Sequence, residues 1–169
     1  MRGKGANTVK AQQFVERRTS QQIGAAHERA VRVLLDKWGL RYVSKQRFQT
    51  TLGSVIELDF FLPGTDSRPP VVLECKDFAV EAKAPSGSRR RKTQEALWLL
   101  LQVRKYCPQT KGARLVLVTG PSRFKRDQEA LLLSEIGEDF HIVSVSEAEV
   151  LKRLMTGDTS AVLIPAERT

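Results

Sequence analysis

Hydrophobic positions along this chain recur with two periods, and the periods alternate. Over residues 22–38, QIGAAHERAVRVLLDKW, Ile23, Ala26, Ala30, Leu34 and Trp38 fall at helical spacing, with Arg29, Arg32 and Asp36 on the polar side. Gly39 stands where a helix C-cap belongs. A strand around 41–43 follows. Over 55–62, VIELDFFL, the period is two: Ile56, Leu58, Phe60 and Leu62 share one face, and Val55, Glu57, Asp59 and Phe61 the other. PGTDSRPP at 63–70 is a loop by composition, and VVLECKDF at 71–78 is a second strand, so the two strands predict an antiparallel pair. KAPSGSRRRK at 83–92 reads as a basic loop, followed by a helix over 93–106 with Thr93 as N-cap and Pro108 beyond its end. ARLVLVTG at 113–120 is a buried-type strand, 122–136 a helix and 140–145 a strand. A helix over 146–155 opens with a Ser146–Glu149 capping box, stapled by Val145 and Val150. Residues 161–164 are a candidate edge strand.

Three early strands and a helical crossover into a buried strand imply an α/β fold, a mixed sheet flanked by helices. We expect one domain over 21–169, preceded by a flexible arm over 1–20 in which five basic residues face only Glu16. The length of 169 residues suits one domain, and a hydrophobic share of 41% allows a sizeable core. No apolar run approaches the roughly 18–20 residues of a membrane span, so no membrane is expected. Without an apolar leader, and with only Cys75 and Cys107, a cytoplasmic setting is expected rather than a disulfide framework.

Charge adds a partner. Lys and Arg total 28 against 19 Asp and Glu, a net +9 that favours a polyanion, usually nucleic acid. Arg89, Arg90, Arg91 and Lys92 are the first candidates for binding phosphate, with Lys83, Arg17 and Arg18 behind them; the other reading is a solvated charge run. His27 and His141 lie far apart without zinc-ligand spacing, which favours core or surface roles. No Gly-rich loop ends in Lys-Ser/Thr, so nothing indicates ATP.

The chemistry is on the strands. Period two puts Glu74 and Lys76 on one face of the second strand, with Val72 and Phe78. If that face meets the Glu57–Asp59 face of the first strand, then Asp59, Glu74 and Lys76 converge. Unpaired carboxylates under a helix would be costly, and two close together repel. A divalent cation relieves both, and hard oxygen ligands suit Mg²⁺ or Mn²⁺. A lysine beside it can position or activate water and offset charge on a reacting phosphate. That combination is a phosphodiester-cleavage site. The alternative is an exposed face carrying ordinary Glu–Lys cross-strand pairs. Glu57 shares the Asp59 face and is a candidate support for the metal or a water, or a residue of the sheet margin.

Asp59 followed fifteen residues later by Glu74-Cys75-Lys76 resembles the PD-(D/E)XK nuclease superfamily, which includes restriction endonucleases and Holliday-junction resolvases. Leu58-Asp59 stands where that family has Pro-Asp; the aspartate carries the chemistry. The αβββαβ order from about residue 22 to 119 is similar to the family's restriction-endonuclease-like core. The resemblance implies a Mg²⁺-dependent DNA endonuclease, with Mn²⁺ able to substitute, that leaves a 5′-phosphate and works as a homodimer. Restriction-, resolvase-, mobile-element- and repair-type enzymes all remain open within it. It implies that Asp59 and Glu74 bind the metal and that Lys76 acts on the water. It also implies an acidic residue on the preceding helix, a role that Glu28 matches beside Val31 and Leu35. The backbone carbonyl of Cys75 would be a further ligand while its side chain packs in the core. Gln94 matches a polar position of some subfamilies and, aligned with Leu97 and Leu101, is expected to point inward. Two alternatives stand beside this reading: a non-catalytic nucleic-acid-binding module, and an RNA-processing nuclease.

Overall fold

In a computed structural model, which describes residues 20–76, 86–120 and 139–157 (86–93 by backbone alone), the two periods become helices packed on a sheet. Helix α1 (Ser20–Lys37) precedes strands β1 (Val43–Gln49), β2 (Val55–Leu62) and β3 (Val71–Lys76). Helix α2 (Ser86–Tyr106), strands β4 (Arg114–Thr119) and β5 (Phe140–Ser144), and helix α3 (Ala148–Thr156) follow. The strands form one sheet in the order β1-β2-β3-β4-β5. The first three pair antiparallel, while β3 with β4 and β4 with β5 are parallel. This is the mixed α/β sheet that the sequence predicts.

Helices cover both faces. Val31 and Leu35 of α1 pack with Leu151, Leu154 and Met155 of α3 against Phe60, Leu62, Leu73, Cys75 and Val118. On the other face Ala96, Leu97, Leu100 and Val103 of α2 pack against Ile56, Leu58, Val72, Leu115 and Leu117. Buried on both sides, β3 and β4 need the near-continuous apolar runs they have.

Several local expectations change. The buried stripe of α1 is His27, Val31 and Leu35, while Ala26 and Ala30 are exposed. Larger side chains hide more apolar area, so they and not the alanines set the helix's rotation. The helix ends in a Schellman motif. Gly39 has φ 64, its N–H bonds to Asp36 O at 3.0 Å, and Leu40 N–H bonds to Leu35 O at 3.1 Å. Strand β1 runs over 43–49, not 41–43; it is an edge strand with only Phe48 buried, so it has little apolar period to read. The basic stretch 86–92 is helical, not a loop, and Thr93 lies inside α2 rather than at its cap. Arg and Lys are good helix formers, and polarity alone does not make a loop. The Ser146–Glu149 capping box does not form. Glu147 occupies the N-cap, its Oε2 accepts the Ser144 N–H at 3.1 Å, and Val150 is exposed.

Two arginines that sequence reading passed over tie the 63–70 loop and β4 to the end of α3. Arg68 is buried and donates to Met155 O and Pro63 O, both at 2.6 Å. Arg114 donates to Leu154 O at 2.7 Å. They satisfy the carbonyls that the end of a helix leaves open. The arm is expected over 1–20, but Ser20 already opens α1; the rest of the arm, the helix over 122–136 and the strand over 161–164 lie outside the described residues, as do Lys83 and Phe78.

Candidate active site

The predicted alternation of β2 fails at Asp59. Ile56 and Leu58 pack under α2, but Phe60 and Leu62 pack under α1 and α3. The four expected on one face are split two and two. The partner strand breaks at the same level. Ser44 pairs with Phe60 and Gln46 with Leu58, while Lys45, opposite Asp59, makes no ladder pair. Lys45 has φ 52, a left-handed conformation uncommon for a residue with a Cβ. Matched irregularities in both strands reverse the pleat without shifting the register.

On its other side β2 leaves β3 at the same point. The strands pair through Leu62–Val71, Phe61–Val72 and Phe60–Leu73. Asp59 and Glu74 come next, and the ladder stops. The Cys75 N–H donates instead to Asp59 Oδ2, at 2.7 Å. A carboxylate has replaced a backbone acceptor, which satisfies an N–H that burial would otherwise orphan. Strand N–H groups lie in the plane of the sheet, so the Asp59 carboxylate is wedged between strands rather than standing on a face. A strand residue's carbonyl leaves along the same edge as its N–H, so the Cys75 carbonyl also turns toward Asp59.

Glu74 is only 4% exposed, on the face of Val72. Its Oε1 lies 2.8 Å from Lys76 Nζ, and its Oε2 has no hydrogen-bond partner among the described residues. Burial first, and the Asp59 charge second, push its carboxyl up to about 7, against the pull of Lys76. Burial also disfavours the Lys76 charge, but Glu74 and Asp59 outweigh it and raise its pKa, so Lys76 is a firm cation at neutral pH. The Cys75 side chain packs in the core as expected, and burial holds its thiol well above the ordinary range.

Glu28 reaches this site from α1 through a residue that the sequence did not single out. Lys45 Nζ lies 2.6 Å from Asp59 Oδ1 and 2.8 Å from Glu28 Oε2. Burial opposes its charge, yet the hydrogen bonds and charges of the two carboxylates raise its pKa. His27, one residue before Glu28, bonds through Nε2 to Val118 O at 3.0 Å and so ties this turn of α1 to β4.

Asp59 and the Cys75 backbone therefore lie beside Glu74 and Lys76 where β2 and β3 part, and Glu28 joins them through Lys45. Other candidates do not. Glu57 is exposed and sits opposite Arg47, with Nε and Oε2 4.0 Å apart, as an ordinary cross-strand pair. Gln94 is exposed, not inward, because the buried stripe of α2 runs through Ala96, Leu97, Leu100 and Val103. Arg89, Arg90, Arg91 and Lys92 lie in the first turns of α2.

Among the described residues no three carboxylate, imidazole or thiol side chains close on one point as a ready-made metal site. The donor set nevertheless suits a hard divalent cation. Asp59, Glu74 and the Cys75 carbonyl offer oxygen, Glu28 stands one ammonium away, and the buried Glu74 Oε2 has the character of a ligand without its partner.

No family model and no curated protein matches the chain. Among solved structures it is similar to a chain in an assembly of Thermococcus gammatolerans McrB AAA+ hexamers with bound McrC, at 14% identity and a TM-score of 0.41. That match covers 81% of this chain but 33% of the other, so the chain spans about a third of its neighbour. A likeness this loose carries no argument about function. No helix among the described residues is long and apolar enough to cross a membrane.

Proposed function

We propose that the protein is a metal-dependent DNA endonuclease of the PD-(D/E)XK type, with a restriction-endonuclease-like core. One observation carries the reading: Asp59 and Glu74 meet where β2 and β3 part, beside Lys76, with one Glu74 oxygen buried and unpartnered. A cross-strand surface pair would leave both Glu74 oxygens in water, and burial of a carboxylate for packing alone is costly.

Asp59, Glu74 and the Cys75 carbonyl would hold Mg²⁺ or Mn²⁺, with Glu28 in support. The ion would supply an activated water and neutralise charge on the phosphate. The chain's own residues do the rest. Lys76 is a cation at neutral pH, so it orients water and offsets charge as the phosphorus takes on its fifth oxygen. Asp59 is fixed by the Cys75 N–H, so a ligand is in place before substrate arrives. The net charge of +9 draws the DNA backbone, and the basic turns of α2, beyond the segment that follows β3, are the candidate path for it. Bond cleavage leaves a 5′-phosphate, and two protomers would serve the two strands of a duplex.

The test is incubation of the protein with supercoiled, linear and branched DNA and with RNA, with and without Mg²⁺. Metal-dependent nicking or cutting of DNA supports the proposal. Binding of DNA without cleavage in any metal would leave a nucleic-acid-binding module, and cleavage confined to RNA an RNA-processing nuclease.

A further inference from the structure

We propose that Lys45 is the resident counter-cation of this site, and that a divalent cation and the Lys45 ammonium exclude one another there. The inference rests on the metal-site reading above and adds a residue that this reading did not need.

The geometry is that of a placeholder. One ammonium bridges two carboxylates from different elements, Glu28 on α1 and Asp59 on β2, at 2.8 and 2.6 Å. Glu74, the third carboxylate, has its own ammonium in Lys76. Without Lys45, Glu28 and Asp59 would stand close together with no positive charge between them. The backbone makes a sacrifice for this bridge. Lys45 takes a left-handed φ of 52 at the one level where β1 and β2 do not pair, and a non-glycine residue there costs free energy. An ordinary surface lysine has no reason to sit at a break in a ladder.

The same ammonium is poised to leave. Lys45 is on the edge strand, and its side chain is 46% exposed, against 10% for Asp59. A flexible four-carbon stem lets the charge swing into water while the carboxylates stay anchored. Asp59 keeps its bond to the Cys75 N–H throughout. With the ammonium withdrawn, Asp59 Oδ1 and Glu28 Oε2 lose their shared partner, and the charge removed is replaced by that of the divalent cation.

The experiment measures Mn²⁺ binding to the full chain by electron paramagnetic resonance and by calorimetry, for wild type, Lys45→Met, Lys45→Arg and Lys45→Met/Asp59→Asn. Methionine keeps the length of the side chain and removes its charge. Lys45→Met should bind Mn²⁺ at least about tenfold more tightly than wild type, which is what one unit charge a few ångströms from a divalent ion amounts to even with water-like screening. Lys45→Arg should stay near wild type, and the double variant should lose the gain. Thermal melts read the fold: Lys45→Met should melt below wild type in EDTA and recover in Mn²⁺. Equal or weaker Mn²⁺ binding by a folded Lys45→Met, beside a wild type that binds, would overturn the placeholder role and leave the metal site standing. If neither wild type nor Lys45→Met bound Mn²⁺, the metal-site reading itself would fall.

Discussion

Replacing Glu74 by Gln should change how stability depends on pH, and it should do so without any metal or DNA. The Glu74 carboxyl ionises near 4.5 in an unstructured chain and near 7 in the folded protein, because burial and then Asp59 disfavour its charge. A carboxyl whose folded pKa is raised holds its proton more tightly in the native state. Its contribution is therefore fully present below about 4.5 and is lost as pH rises through about 7. At 1.36 kcal/mol for each tenfold change, the loss across that window is about 3 kcal/mol. Glutamine is isosteric and does not titrate, so the loss is missing from the variant. The assay is urea denaturation in EDTA at pH 4 and pH 8 for both proteins, followed by tryptophan fluorescence and extrapolated linearly. The stability of Glu74→Gln minus that of wild type should rise by about 3 kcal/mol from pH 4 to pH 8. His141, whose pKa burial lowers, contributes with the opposite sign, but it is common to both proteins and cancels. Lys76 has a raised pKa and loses nothing below its ordinary range. The reasoning is refuted if the two proteins keep a constant difference across the range, because Glu74 would then be ionising as freely when folded as when unfolded.

Other outcomes follow from the same structure. Asp59→Ala or Lys76→Ala should abolish plasmid nicking in Mg²⁺ while DNA binding persists in Ca²⁺, which tolerates looser geometry; undiminished cutting in EDTA would contradict the mechanism. Changing Arg89, Arg90 and Arg91 together to Ala should weaken binding to unrelated duplexes alike and flatten the slope of log affinity against log salt by up to about 3, at about 0.9 for each phosphate no longer neutralised. An unchanged slope in a salt titration would move the phosphate path elsewhere. Arg68→Ala should cost about 2–3 kcal/mol in denaturant unfolding, since two buried carbonyls lose a charged donor. Gly157→Ala should cost about 1–2 kcal/mol in the same assay: the residue has φ 87, and a Cβ there would stand 3.1 Å from Arg68 Cγ.

What was legible in the sequence is what local periodicity and composition encode. β2 is read to the residue at both ends, and β4 to within one. The turn at Gly39 is read because only a left-handed residue closes that helix cheaply. The candidate carboxylates Asp59 and Glu74 stand out because two acids and a lysine in apolar strands are chemically out of place. The errors fall where long-range structure overrides local pattern. Residues 86–92 look like a loop because they are polar, yet they continue a helix whose later turns are buried. Gln94 looks inward only if α2 is rotated by one residue from the stripe that the sheet selects.

Lys45 was illegible for a deeper reason. In the sequence it is one of 28 basic residues, in a polar strand with one buried side chain. Its meaning lies in a coincidence of three elements: α1 brings Glu28, β2 brings Asp59, and β1 brings Lys45 at the level where its ladder with β2 breaks. Strict alternation along β2 would have kept Phe60 on the face of Leu58, under α2, and with it the whole second half of the strand. The break instead sends Phe60 and Leu62 under α1 and α3 and leaves Asp59 at the crossing, in the plane of the sheet. A carboxylate placed there can reach the next strand's backbone on one side and a cation on the other. The irregularity that defeats the period-two reading is therefore the same one that builds the site. A variant that restored a regular ladder at Lys45 and Asp59 would be expected to keep its sheet and lose the proposed nuclease activity.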